Sequence, residues 1–266
     1  MKYSVIMNVY NEEKNLEYAL KSLKYLKNYD ELLIADMGSS DKTVEIAKKY
    51  NAKVINIPYD KYFDRGRKVI IENAKNEWCF LLDADELITK SLGKTIEKIV
   101  EKSDCDAVYF PTINYFFGVK SEYGLHYPCH HCRLFKKSVV TVTGIPHNYF
   151  NINKECIEKF VYGEENAIIH FSFNNIEEWM KKRYRYIDLE EKNNKFNNPF
   201  ICGIKSFCKA FFKEKNYQGG YEGLILSILS SISAQLANIK LYYDDKEIDA
   251  KKIKEKYLDE WKYACY

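Results

Sequence analysis

Through the first 83 positions, short continuous apolar runs alternate with segments whose apolar residues recur every three or four positions. Residues 2–9 (KYSVIMNV) are β-branched and mostly apolar, the pattern of a buried strand. Asn11 stands where a helix N-cap is expected, and Leu16, Ala19, Leu20, Leu23 and Leu26 follow at helical spacing. A second strand, ELLIAD, ends at Asp36. The loop MGSSD leads into a helix carrying Val44, Ile46, Ala47 and Tyr50, with Ser40 or Asp41 as its cap. A third strand, AKVINI, ends near Ile57. A helix over about 65–75 and a fourth strand, WCFLLD, which ends at Asp83, complete the series.

Continuous apolar strands alternating with helices predict an α/β fold, with a mostly parallel sheet covered on both faces. In such sheets ligands bind outside the carboxyl ends of the strands. Three of those ends carry polar groups: Tyr10-Asn11-Glu12, Asp36 with Ser39 and Asp41, and Asp83-Ala84-Asp85-Glu86. The predicted fold brings them together although they are far apart in sequence.

Beyond residue 86 the pattern changes. A helix over about 91–102 precedes the strand-like run DAVYFPTINYFF, and aromatic, His-rich and Gly-containing segments continue to about 173. Residues 175–193 read as a charged helix. In 200–243, Phe207, Phe211 and Phe212 interleave with Lys205, Lys209, Lys213 and Lys215, and 224–241 (LILSILSSISAQLANIKL) forms an apolar helix broken by Ser and Gln. Lys interleaved with Phe is the composition of a membrane-surface segment. Packing against the rest of the chain, or against a second copy, is the other reading.

The chain has 266 residues, 46% of them apolar and 30% charged, enough for a sizeable core and not the composition of a disordered chain. A net charge of +3, without any block of five or six like charges, gives no reason to expect a nucleic-acid partner. No run of 18 apolar residues and no signal-peptide pattern is present, so the expected location is cytoplasmic, or peripheral at the inner face of the membrane. The eight cysteines are then expected to be reduced. Cys129 and Cys132, with His126, His130 and His131, invite a zinc reading, but no second paired motif follows, and a loop with incidental cysteines is the better account.

Asp83 and Asp85 form a D-x-D directly after an apolar strand. Such paired carboxylates can address a hard cation, Mg²⁺ or Mn²⁺, that shares its oxygen ligands with substrate phosphates. A solvated strand-end turn is the alternative. Asp36 and Ser39 are placed to meet a ribose. Neither G-x-G-x-x-G nor G-x-x-x-x-G-K-[ST] occurs, so a nucleotide would be held by a metal and basic side chains, with Arg65, Arg67 and Lys68 as candidates.

The segments VIMNVYNEEKNLEYALKSL, LLIADMGSSDKTVEIAKKYNAKV and FLLDADE resemble the family 2 glycosyltransferases of GT-A, Rossmann-like fold, over residues 3–90. CRLFKK at 132–137, GIPHN at 144–148, IIHFSF at 168–173 and GGYEGLILSILSS at 219–231 look, more loosely, like the branch that includes lipopolysaccharide-core glucosyltransferases. The resemblance implies a GT-A domain over 1–198 and a C-terminal helical appendage over 199–266. It implies inverting transfer of a sugar from a nucleotide diphosphate-sugar, a UDP-sugar first of all, to a hydroxyl of a surface-glycan or lipid-linked saccharide, assisted by Mg²⁺ or Mn²⁺.

Carried over by motif, Tyr10, Asn11 and Glu12 would line the base pocket and Asp36 would contact base or ribose. Asp83 would approach ribose or metal, and Asp85 would bind the metal. His170 resembles a late metal or diphosphate ligand, and Arg133 a basic residue facing acceptor or phosphate. The acid that often follows the His of GxxH is replaced here by Asn148, which leaves His147 and Glu86 as candidate bases. A non-catalytic nucleotide-sugar binder on the same fold is the alternative function. A nucleotidyltransferase would want a Gly-rich loop after the first strand, and residues 8–15 (NVYNEEKN) have no Gly.

Overall fold

A computed structural model describes residues 1–59, 64–123, 129–145, 148–190, 197–245 and 252–258. The chain forms two compact units, Met1–Trp179 and Met180–Tyr266.

The first unit opens with β1 (Tyr3–Val9), α1 (Leu16–Ser22), β2 (Tyr29–Asp36), α2 (Thr43–Lys49), β3 (Lys53–Asn56), α3 (Asp64–Asn73) and β4 (Trp78–Leu81), as the hydrophobic pattern predicts. It continues with β5 (Glu86–Leu87), α4 (Lys90–Lys102), β6 (Ala107–Phe116), β7 (Val119–Lys120), β8 (Cys129–Lys136), β9 (Val140–Ile145), β10 (Asn148–Ile152), β11 (Glu158–Phe160) and β12 (Ile168–Phe173). The main sheet runs β3-β2-β1-β4-β8-β6-β12-β5, with β7 and β11 also paired to β6. Strands β1 to β4 are mutually parallel. β8 joins β4 and β6 antiparallel, which makes the sheet mixed beyond β4.

Every residue of β1 is buried, as a strand covered on both faces must be. Its period of two sends Tyr3, Val5, Met7 and Val9 into one core, with Leu16, Ala19 and Leu20 of α1 and Leu92, Ile96 and Ile99 of α4. Ile6 faces the other core, with Ile70 and Ile71 of α3. The chain leaves β1 for β2 on one side and returns as β4 on the other, so the strand order reverses at β1. A crevice at the carboxyl ends of β1, β2 and β4 follows from that reversal.

Two helix starts differ from expectation. α1 begins at Leu16 with Asn15 in the cap position, while Asn11 adopts left-handed backbone, φ 54°. Asn tolerates that region because its short amide can bond locally. Here the Asn11 backbone N–H donates to Ser39 Oγ (2.9 Å) and Asn11 Oδ1 accepts from the Ser40 N–H (2.8 Å), so Asn11 ties the β1 end to the β2–α2 loop. At α2 the cap position falls on Lys42. Asp41 Oδ1 still accepts the Thr43 N–H at 3.0 Å, the bond an N-cap side chain supplies.

The second unit contains the C-terminal part of α5 (Ile176–Glu190), then α6 (Pro199–Cys208), which runs on through a π-helical turn at Lys209–Lys213, and α7 (Gly220–Asp245). Asn198 caps α6 by accepting the N–H groups of Phe200 (3.0 Å) and Ile201 (3.2 Å). Contacts of Asn197 with Asn238, Gly203 with Gln235 and Ser206 with Ser230 pair the two helices antiparallel.

Candidate active site

The acidic motif sits where β4 ends and β5 begins. Two-residue β5 pairs antiparallel with β12, setting His170 opposite Glu86, and the Phe171 N–H donates to the Asp85 carbonyl at 2.9 Å. That register, together with the parallel β6–β12 pairing that sets His170 beside Asn114, carries the late histidine to the early D-x-D. His170 Nε2 lies 3.6 Å from Asp85 Oδ2.

The other ring nitrogen is held from behind. His170 Nδ1 is 2.7 Å from Asn114 Oδ1, an amide oxygen that also accepts from Ser172 Oγ at 3.3 Å. With Nδ1–H donated to Asn114, Nε2 turns to Asp85 either as a protonated partner or as a free lone pair able to ligate a metal. Burial works against a charged imidazole, but Asp85, Glu86 and Asp83 together outweigh it and raise the His170 pKa. Asn114 carries no local motif. Its place in the site comes only from strand register.

Asp83 is gripped by two arginines. Arg133 Nη1 lies 3.0 Å from Asp83 Oδ2, and Arg67 Nη2 lies 3.4 Å from Asp83 Oδ1. Burial alone would raise the Asp83 carboxyl, but Arg133 and Arg67 overcome it and hold the group below its ordinary value. The other end of the Arg133 guanidinium pairs with Glu86, which is 1% exposed and also accepts the Asp83 N–H at 2.9 Å. Burial pushes Glu86 up despite Arg133. Arg133, expected to face acceptor or phosphate, therefore lies buried behind the motif, and Glu86, a candidate base, is enclosed with it.

Arg67 reaches the site because α3 lies close on β1. A Cβ at Gly66 would fall 2.5 Å from Asn8 Nδ2 and 2.8 Å from Ile57 Cδ1, so a larger residue there must push those two side-chain ends aside. Lys68 instead faces outward, 3.9 Å from Glu72. The Arg65 side chain and all of His147 lie outside the described residues.

At the β2 end, Asp36 is 3% exposed. Its carboxylate accepts the N–H of Gly38 (3.2 Å) and of Ser39 (3.1 Å), which folds the loop back on the strand. The Glu12 N–H donates to Thr43 Oγ1 at 2.7 Å, and the Glu13 N–H to Asp41 Oδ2 at 3.0 Å. The Tyr10 ring packs 4.6 Å from that of Tyr59. Tyr10, Asn11, Glu12, Asp36 and Ser39 thus form one connected wall, and Asp83, Asp85, His170, Arg67 and Arg133 a second group at the β4 end.

Among the described residues, no three His, Cys, Asp or Glu side chains converge as a ready-made metal cage. Asp85 and His170 supply one oxygen and one nitrogen ligand, which fits a hard or borderline cation completed by water and phosphate oxygens. On β8 the alternation of a strand sends His130 and His131 to opposite faces. Burial pushes the Cys132 thiol up to about 12 and, with Arg133, the His131 ring down to about 4.

Comparison with known proteins agrees with this architecture. Residues 4–215 match the model of glycosyl transferase family 2. An uncharacterized glycosyltransferase of Rickettsia bellii is 29% identical over 256 residues, covering 90% of this chain and 86% of its own length. The SPbeta prophage-derived glycosyltransferase SunS of Bacillus subtilis is 34% identical over 116 residues, 41% of this chain and 27% of that protein. Among solved structures, S. aureus TarS 1-349 in complex with UDP-GlcNAc superposes with a TM-score of 0.52 at 16% identity, over 88% of this chain and 81% of that one. The family match spans both the first wall and the β4 motif group, and on it this chain belongs to the family 2 glycosyltransferases.

Proposed function

We propose that the chain catalyses inverting transfer of a sugar from a UDP-sugar to a hydroxyl of a surface-glycan or lipid-linked saccharide, on the cytoplasmic side, with Mg²⁺ or Mn²⁺ bound. The observation that carries the reading is the convergence of Asp83, Asp85 and His170 with two arginines at the β4 end. The UDP-GlcNAc named in the TarS complex supports a UDP-sugar as donor. The looser likeness of the later segments to lipopolysaccharide-core enzymes supports a glycan acceptor.

In this reading the nucleoside lies along Tyr10, Asn11, Glu12, Asp36 and Ser39, and Asp83 turns toward its ribose. Asp85 and His170 would hold the cation, which when bound neutralises the charge that builds on the departing diphosphate. Arg67 adds positive charge on the same side. Arg133 and Arg67 keep the Asp83 carboxylate ionised, and Glu86 helps to hold Arg133 in place. The anomeric carbon passes through an oxocarbenium-like state, and an acceptor-side base must take the hydroxyl proton. His147 is the base proposed, since neutral imidazole titrates near about 6.5.

Thermal unfolding with UDP, GDP, ADP and CMP, each with Mn²⁺ or EDTA, tests the donor site. A ligand at a hundred times its Kd adds about 2.7 kcal/mol. A Mn²⁺-dependent shift with UDP, lost in Asp85→Ala, is expected. A well-folded protein that responds to none of the four nucleotides sinks the reading. UDP-dependent stabilisation without release of UDP from any UDP-sugar would favour the non-catalytic binder.

A further inference from the structure

The helix pair in the second unit has its polarity reversed relative to a water-soluble bundle. Where α6 and α7 meet, the residues are small or polar. Ser206 Oγ lies 2.8 Å from Ser230 Oγ, and the Asn197 N–H donates to Asn238 Oδ1 at 3.1 Å. Gly203 lies against the Gln235 amide. Ser227 and Ser233 are buried. Leu229 is buried, but many other large apolar side chains of the pair are exposed. On α7 these are Tyr221, Ile225, Ile228, Ile232, Ile239 and Tyr243, at helical spacings that place them on one face. On α6 and its π turn they are Phe200, Ile201, Ile204 and Phe212, with Phe200 69% and Phe212 61% exposed.

Water would favour the opposite arrangement, with the aliphatic residues inside and the serines out. A helix pair in lipid gains nothing by hiding isoleucine, and is held instead by close approach at small residues and by interhelical hydrogen bonds. The charges point the same way. Lys205, Lys209, Lys213 and Lys215 are all exposed, with Glu214 the acid paired to Lys209 at 3.5 Å. Clustered lysines beside exposed aromatics are the headgroup-level composition of an interfacial helix on anionic lipid. A second copy docking along the α7 stripe would cover only that stripe and leave Phe200, Ile204 and Phe212 in water. A bilayer covers both helices. α7 is by itself long and apolar enough to cross a membrane. From Pro199 to Lys213, however, α6 and its π turn are roughly 22 Å long, less than the hydrocarbon thickness of about 30 Å, so the two helices packed side by side fit the interface better than a two-helix crossing.

We propose that the α6–α7 hairpin docks the enzyme on an anionic bilayer, its outward Ile and Phe side chains in the acyl boundary and its lysines at the headgroups. Vesicle binding requires no sugar transfer, so its outcome leaves the transferase reading untouched. The test is flotation of the full chain with phosphatidylcholine vesicles, alone or mixed with phosphatidylglycerol. Binding to the mixed vesicles is expected, weakened by about five-fold for each of Lys205, Lys209 and Lys213 changed to Gln. Ile225→Glu/Ile228→Glu should lose at least ten-fold while keeping the wild-type cooperative thermal unfolding transition, which shows it folded.

Ile228→Trp, milder still, should shift its emission to the blue and be quenched by brominated acyl chains. Failure of the wild-type chain to float with either vesicle overturns the proposal. So does a lipid-free dimer, seen by sedimentation, that Ile225→Glu/Ile228→Glu dissociates, since that result gives the face to a second copy.

Discussion

Arg133, on β8, and Glu86, on β5, stand 47 positions apart in sequence and meet in an ion pair buried beneath the D-x-D motif. The same guanidinium reaches Asp83, so one arginine bridges two carboxylates that would otherwise repel each other. Removing one partner of such a group strands a charge out of water, which costs more than the intact pair contributes.

Arg133→Met should therefore destabilise the chain by about 3–5 kcal/mol in urea unfolding. Arg133→Lys should recover little of this, because a single ammonium cannot bridge two carboxylates as the planar fork does. An Arg133→Met protein with wild-type stability would show that the pair contributes nothing to the fold.

In the proposed site, Asn114 would act on the cation through His170. Losing a partner of this kind costs roughly 10–100-fold in metal affinity. Asn114→Leu should weaken Mn²⁺ binding by that factor, read by calorimetry in the presence of UDP, with UDP affinity in EDTA unchanged. Equal loss in both conditions would point to collapse of the pocket instead.

Gly66 sets the distance from α3 to β1. In Gly66→Ala the new methyl meets Asn8 and Ile57 well inside contact distance. Overpacking of this kind costs about 1–3 kcal/mol where the buried Asn8 and Ile57 side chains cannot turn aside, and α3 then shifts and takes Arg67 with it. Lower stability together with weaker UDP-sugar binding is expected. A change in Tm alone would separate Gly66 from the site.

Glu97 carries a pH-dependent part of the stability. Its carboxylate accepts the N–H groups of Lys27 (2.7 Å) and Asn28 (3.0 Å) and the Tyr3 hydroxyl (2.7 Å). Burial would raise its pKa, but these donors outweigh it and lower it from 4.5. A depressed folded pKa gives stability that is fully present above the unfolded value and lost as the pH falls through the folded one. The stability gap between the native chain and Glu97→Gln should thus be full at neutral pH and narrow as the pH falls below about 4.5. Unfolding curves across that range check it, and a gap independent of pH would refute it.

The alternation of apolar runs and helical spacings determined β1 to β4 with α1 to α3, because burial on both faces of a parallel sheet leaves a periodic mark within a dozen residues. It also put Asp36, Asp83 and Asp85 at strand ends, since an acid following an apolar run marks where the strand leaves the core. Asn11 was misread as a helix cap because Asn suits a cap and a left-handed turn equally, and only the position of Ser39 and Ser40 chose between them.

The partners of Arg133, and Asn114 altogether, lay beyond local reading. Each sits in an apolar or aromatic strand run, and its partner is determined by which strands pair and in what register. The reversed polarity of α6 and α7 was equally hidden. Composition showed that Ser, Gln, Ile and Phe share those helices, but the packing of one helix on the other decided which of them meet and which face outward.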